Sequence, residues 1–246
     1  MPPFCGPETT VLLLHEVHRV AGAREEEFDI AFRDGLIPKL AESDGSRLIW
    51  YLRLAHGSGA AYTVVTYTAC RDAAAWAELA ERVRVGDLAR WSSEVDAMRH
   101  GCEAKILTPT SFSPLQEIDF ATVPTKGEEH ELSLFMEDTA WPFQGGLTNY
   151  LEKAATLYDH ELATSKQRGR GIIDLEAAFQ PVYGSHTTNE VVLWQRIVNH
   201  QALLWMLGND LPPEATAPGT WMHDALAVRD RWESRILRSA AWSPLY

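Results

Sequence analysis

The sequence predicts an α+β fold of two tandem β-α-β-β-α-β units whose antiparallel sheets pack face to face. Three observations predict it: a segment that recurs, an order of elements shared by both halves, and strands that lack a clean polar face. The segment Ala97 to Leu115, AMRHGCEAKILTPTSFSPL, aligns with Ala227 to Leu245, AVRDRWESRILRSAAWSPL, at a constant offset of 130. Eight of nineteen positions are identical, where chance would give about one. Lys105/Arg235 and Phe112/Trp242 are similar pairs in addition.

In the first half, Val11–Val20 is an apolar run interrupted by His15, Glu16 and His18, which reads as a strand buried on both faces. Arg24–Ser43 places Phe28, Ile30, Phe32, Leu36, Ile37 and Leu40 near helical spacing and stops at Ser43-Asp44-Gly45. Arg47–His56 and Ala61–Ala69 form a hairpin across Gly57-Ser58-Gly59. Asp72 is the N-cap of the next helix, a further helix runs to about Arg99, and Cys102–Leu107 is a short closing strand.

The second half repeats the order. Glu131–Met136 reads as a strand and Leu147–Ser165 as a helix, and Gly171–Val182 pairs with Glu190–Ile197 across Tyr183–Asn189. Asn199 stands where Asp72 stood, again as an N-cap. A helical region interrupted by Leu211-Pro212-Pro213 and Pro218-Gly219 leads to a last strand at Ser234–Leu237. The expected boundaries are residues 10–115 and 130–246 for the two units, with 116–129, carrying Pro124 and Lys126-Gly127, as the linker.

A β-α-β-β-α-β unit is the split βαβ, or ferredoxin-like, motif, whose sheet carries helices on one face and needs cover on the other. Two copies supply that cover for each other. With these elements and the paired ILTPTSFSPL and ILRSAAWSPL segments, the chain resembles the dimeric α/β-barrel superfamily in a tandem-fused form, and within it NIPSNAP-type proteins. The resemblance covers most of residues 10–246, and its aromatic-Ser-Pro-Leu motif reads as a packing corner rather than a ligand site. Members of the superfamily include small monooxygenases, polyketide cyclases, dehalogenating lyases and heme proteins of the chlorite dismutase type. The fold therefore leaves the reaction open.

Composition narrows the partners. The 246 residues are 46% hydrophobic and 23% charged, enough for a sizeable core. Lys and Arg number 22 against 34 Asp and Glu, a net charge of −12. Nucleic acid and anionic membrane surfaces, which demand a cationic face, are not expected partners. No stretch approaches 18 uncharged apolar residues, and the N-terminus lacks the pattern of a signal peptide. Cys5, Cys70 and Cys102 are odd in number and widely spaced, which fits a reducing cytoplasm. A homo-oligomer is compatible with all of this.

The chemical candidates are polar groups in strands that ought to be buried. Glu16 and His18 share a face with Leu12 and Leu14 by period two, and an imidazole beside a carboxylate in an apolar cavity is a general base. The alternative is a strand-end pair that is solvated or bonded to Arg19 or Arg53. Asp174 and Glu176 form a second pair, able to share a proton or to bind Arg196. Trp50, Tyr67, Trp141 and Trp194 are the expected cavity wall, although aromatics at such positions more often fill a core.

No HxH, HExxH, GxGxxG, GxxxxGK[ST] or GxSxG is present, so no metal, nucleotide or serine nucleophile is expected. His15, His18, His186 and His200 form no ligand cluster by spacing, and the superfamily resemblance leaves His160 and His223 as nominal heme ligands. The expected function is cofactor-independent acid–base chemistry on a small hydrophobic, aromatic or polyketide-like compound, as a lyase, cyclase, isomerase or monooxygenase. A non-catalytic ligand-binding or scaffold protein is the first alternative, and a heme protein the second.

Overall fold

A computed structural model describes residues 11–167, 171–185 and 189–246; Cys5 and His186 lie outside them. Eight strands close into one barrel in the order β1-β3-β2-β8-β5-β7-β6-β4. They are β1 (Leu12–Val20), β2 (Ser46–Leu54), β3 (Thr63–Cys70), β4 (Arg99–Pro109), β5 (Leu134–Pro142), β6 (Ile173–Tyr183), β7 (Val191–Ile197) and β8 (Arg229–Ser239). Read from β4, the ring runs β4-β1-β3-β2 and then β8-β5-β7-β6, so each half supplies four neighbouring strands in one order. Every pairing is antiparallel.

The two four-strand sets face each other across one shared interior, as a barrel requires, and also close into a ring. The two four-strand sets join edge to edge through β2–β8 at Leu52↔Ser239 and β4–β6 at Pro109↔Phe179. Each joint is short. Among the described residues, the lower part of β4 beyond Ile106 and the corresponding part of β8 beyond Leu237 pair on one side only. Those stretches carry Arg99, Glu103, Lys105, Arg231, Glu233 and Arg235, charges that keep an open sheet edge from pairing with other chains.

The same charges explain why three strands are longer than the hydrophobic pattern indicates. The strand expected at Cys102–Leu107 spans Arg99–Pro109, that at Ser234–Leu237 spans Arg229–Ser239, and that at Glu131–Met136 spans Leu134–Pro142. In β5 the polar run Glu137-Asp138-Thr139 is compatible with a strand because Glu137 finds partners inside the barrel, as described below, and Asp138 accepts from the Ser234 hydroxyl at 2.5 Å.

Helices cover the outside. α1 (Glu25–Ile30) continues through a π-helical turn at Ala31–Leu36 into α2 (Ile37–Ala41), and α3 (Ala73–Arg84) and α4 (Ala89–Asp96) complete the first half. α5 (Leu147–Lys153), a π-helical turn at Ala154–Tyr158, α6 (Asp159–Gln167), α7 (His200–Gly208) and α8 (Trp221–Asp224) cover the second. Both expected caps are present: Asp72 accepts from the Ala75 N–H at 2.8 Å and Asn199 from the Ala202 N–H at 3.0 Å. No helix among the described residues is long and apolar enough to cross a membrane.

Strand alternation then sorts the first strand. Leu13, His15 and Val17 face the barrel interior, while Leu12, Leu14, Glu16 and His18 face the helices. The interior is filled by Trp50, Tyr67 and Trp194, whose ring centroids lie 5.2–5.4 Å apart, with Phe135 stacked on Trp194 at 4.7 Å. Val123, Leu115, Ile118 and Phe120, from the stretch between the halves, pack onto one end of this core.

The repeated Ser-Pro-Leu segment clasps the barrel. The Ser243 hydroxyl accepts from the Tyr51 N–H at 3.0 Å and donates to the Leu245 carbonyl at 2.8 Å. The Ser113 hydroxyl does the same for the Ala178 N–H and the Leu115 carbonyl, both at 2.9 Å. Each half's terminal serine thus satisfies a buried N–H of the other half, which accounts for the repeat's retention of Ser as well as Pro.

Candidate functional site

His18 stands on the helix side of β1, fully buried, beneath Phe28 and Phe32 at ring distances of 5.3 and 5.6 Å. Both imidazole nitrogens are engaged. Arg99 brings a guanidinium N–H to Nδ1 at 2.6 Å, and Nε2 lies 3.1 Å from the Thr66 hydroxyl oxygen. A guanidinium can only donate, so Nδ1 is the bare nitrogen and Nε2 carries the hydrogen given to Thr66. Burial first, then the charge of Arg99, hold the imidazole well below its ordinary pKa of 6.5. His18 is therefore neutral near pH 7, with its lone pair directed at a cation.

Beside it lies a cavity of about 90 Å³ between β1 and the helices, walled by Leu14, Leu36, Leu40, Leu79, Val83, Trp91 and Val95, with Glu16, His18, Thr68, Ser92 and Arg99 as its polar groups. Arg99 is anchored from behind by Asp96 at 2.5 Å. Glu16 does not orient the imidazole, since Thr66 and Arg99 take both nitrogens; it instead accepts from the Cys102 thiol at 3.6 Å. Burial raises the Glu16 carboxyl and pushes the Cys102 thiol up to about 12. Glu16, His18 and Cys102 carry ligand-type atoms within 4.8 Å of one another, but the Arg99 guanidinium already occupies the cationic position at Nδ1.

The other sequence candidates are dispersed. Asp174 pairs with Lys166 at 2.7 Å and Glu176 with Arg196 at 2.8 Å, all partly exposed. A bulge between Leu175 and Ala177 breaks the alternation that was expected to hold the two carboxylates on one face. Neither lines the cavity beside His18. Trp50, Tyr67 and Trp194 belong together, but as the packed barrel interior rather than a cavity wall. Trp141 is apart from them, with the Arg231 guanidinium 4.0 Å above its ring.

Sequence reasoning missed two groups. Arg99 fell at the end of an expected helix. Glu137 fell beyond the end of an expected strand, although it is 1% exposed inside the barrel. There it accepts from Tyr67 at 2.7 Å and from His15 Nε2 at 3.0 Å, with Arg235 at 3.4 Å on its other oxygen. Burial alone would raise its pKa, but His15, Arg235 and Lys105 together bring it down to about 2.

A heme held against the second sheet would need an imidazole aimed between sheet and helices. His160 and His223 are both exposed, and His223 is tied to Asp224 at 2.8 Å. Tyr150, Tyr158 and Trp221 occupy that interface, with ring centroids 5.3–5.6 Å apart. These residues do not fit a heme.

No protein-family model matches the chain, and no curated protein matches it by sequence. Solved structures do. A "putative monooxygenase" from Lactobacillus acidophilus NCFM superposes with a TM-score of 0.59 at 12% identity, over 93% of this chain and 94% of that one. An anthrone oxidase-like protein gives 0.57 at 8% identity, over 95% and 92%. A NIPSNAP family protein from Agrobacterium tumefaciens C58 aligns with 43% of this chain and 98% of its own at 20% identity, with a TM-score of 0.37. At these identities the likeness is one of fold: the chain shares with these structures an α+β architecture, here an eight-stranded antiparallel barrel closed within a single polypeptide.

Proposed function

We propose that the protein is an enzyme that removes a proton from a small hydrophobic, enolisable compound of aromatic or polyketide-like type, using its own side chains as acid and base. The observation that carries this reading is the neutral imidazole of His18 with its Nδ1 lone pair facing Arg99 beside a largely apolar cavity. When a substrate oxygen takes the guanidinium, Nδ1 is released as the base, and the same guanidinium stabilises the enolate that forms. The proton passes from substrate carbon to Nδ1, and the electron pair stays on the substrate oxygen. Leucines and Trp91 exclude water and receive the ring or chain. A volume of about 90 Å³ limits what enters to one small ring or a short chain.

The fold shared with an anthrone oxidase-like protein supports the substrate type as an analogy only. We also read the halves as two fused β-α-β-β-α-β units at residues 10–115 and 130–246, working in the cytoplasm. The alternative of a non-catalytic binding protein is favoured by one feature, the apolar exposure of Leu204, Trp205 and Leu207 on α7.

The test is hydrogen exchange. In D₂O the wild-type protein should accelerate deuterium incorporation at the acidic carbon of a one-ring ketone such as acetophenone or of a short β-diketone, and H18Q should abolish the acceleration. No acceleration across a panel of enolisable aromatic ketones, or full acceleration by H18Q, would overturn the reading.

A further inference from the structure

The walls of the cavity beside His18 recur, residue for residue, in the other half of the chain. The separation of 122 between His15 and Glu137 also carries the ends of β1, Leu12 and Val20, to those of β5, Leu134 and Pro142. It carries Glu25, the first residue of α1, to Leu147, the first of α5. It then carries Leu36, the last residue of one π-helical turn, to Tyr158, the last of the other. The offset of 130 takes Trp91 to Trp221 and Arg99 to Arg229. Tyr67 and Trp194 are the register partners of His15 and Glu137, so the residues that follow them, Thr68 and Gln195, correspond as well.

At one of these positions the two halves differ in size. Position 36 is a leucine, and a cavity of about 90 Å³ lies against it. Its counterpart is Tyr158, whose buried ring lies 5.3 Å from that of Trp221 and whose hydroxyl donates to the side-chain oxygen of Gln195. In the first half the equivalent partners are unspent. Trp91 lines the cavity, and so does Thr68, whose hydroxyl has no hydrogen-bond partner among the described residues. The imidazole goes with the cavity: His18 corresponds to Ala140 in the half that carries the tyrosine.

An occupant that satisfies this wall needs a flat ring for Trp91 and a hydroxyl for Thr68. We infer that the cavity beside His18 binds a monocyclic phenol, its ring against Trp91 and its hydroxyl on Thr68, as Tyr158 sits with Trp221 and Gln195. The inference rests on the reading of this pocket as the substrate site and of the halves as two copies of one unit. It adds a phenolic hydroxyl to the substrate.

The experiment is calorimetry on the full chain with p-cresol, which is the tyrosine side chain as a free molecule, and toluene as the control without the hydroxyl. p-Cresol should bind about tenfold more tightly than toluene, and T68V should bring it down to the level of toluene. L36Y, which places the other half's tyrosine in this wall, should fold and bind neither probe. Y158L should melt at lower temperature and take up a second p-cresol, which should raise its melting temperature by more than that of the wild type. Toluene binding as tightly as p-cresol, p-cresol binding unchanged in L36Y, or a folded Y158L without a second site would each overturn the inference. Should Y158L fail to fold, T68V and L36Y decide the matter alone. All of these readouts are of binding, so the absence of hydrogen exchange with ketones would leave them standing, and their failure would leave the exchange test untouched.

Discussion

Nε2 of His15 and Oε2 of Glu137 lie 3.0 Å apart across 122 residues of sequence, and the two side chains hold one and the same register position in the two strand sets. His15 pairs with Tyr67 on one side and Lys105 on the other; Glu137 pairs with Trp194 and Arg235. Equivalent positions of the two halves thus meet at the centre of the barrel. Two histidines or two glutamates there would repel or go unpaired, whereas a histidine against a glutamate makes the contact a complementary one.

The pair sets an acid limit on stability. Glu137 titrates near 2 in the folded chain against 4.5 for the unperturbed group. A carboxyl lowered by folding stabilises above its unfolded value, and that contribution disappears as pH falls from 4.5 toward 2. Melting temperature followed over that range should drop in the wild type. E137Q should flatten this part of the profile, and at pH 7 it should be less stable than the wild type by about 3 kcal/mol.

His18 acts with the opposite sign of charge and in a different window. Its folded pKa lies well below 6.5, so only the unfolded chain takes up a proton as pH falls from 6.5 toward the folded value. Stability should decline on acidification below 6.5, and H18Q should be free of that decline. In the exchange assay the same variant should lose about 10²–10⁴ in rate. A merely structural histidine would show the first effect without the second.

These two histidines also mark what the sequence could tell. The recurrence at offset 130, the element order and the two N-caps were legible, because turn chemistry and capping are local. Which face of β1 pointed where was not. Both faces are buried, one by the barrel interior and one by helices, so alternation of Leu12, Leu14, Glu16 and His18 against Leu13, His15 and Val17 carried no inside or outside. Glu137 was hidden for a related reason: a carboxylate reads as the end of a strand unless its partners, here His15 and Tyr67 from distant segments, are known. Alignment of LLLHEVHRV with LFMEDTAWP would have set it opposite His15. Asp174 and Glu176 were misjudged through a bulge that leaves no local mark.

The serine clasp predicts a pair of matched losses. S243A leaves the Tyr51 N–H and S113A the Ala178 N–H buried without an acceptor. Each should cost about 1–3 kcal/mol by denaturant unfolding. Ser243 and Ser113 lie at separate crossings, so the double variant should lose close to the sum.

Arg99 should separate binding from the base. R99M removes the donor at Nδ1, while Asp96, exposed beyond it, keeps access to water. Without the guanidinium beside it, the imidazole loses one of the influences that lower its pKa, so the His18 resonance should titrate at higher pH than in the wild type. Exchange should still fall by about 10²-fold or more, because the enolate has lost its counter-charge. An unchanged exchange rate would place the oxyanion elsewhere.

Two glycines test whether the barrel mouth is held by backbone contact. Gly57 has φ +82° with open space around the position of a Cβ, and Gly184 has φ +86° with the Ala104 oxygen at 2.5 Å and the Lys105 Cα at 2.9 Å from that position. G57A and G184A therefore pay nearly the same conformational cost, about 1–2 kcal/mol for a left-handed alanine. Only G184A must also push the β6–β7 turn away from β4. It should be the less stable of the two by thermal melting, and the displaced turn should carry Glu190 away from Lys105. Equal melting temperatures would mean that the chain at Gly184 yields freely to a Cβ.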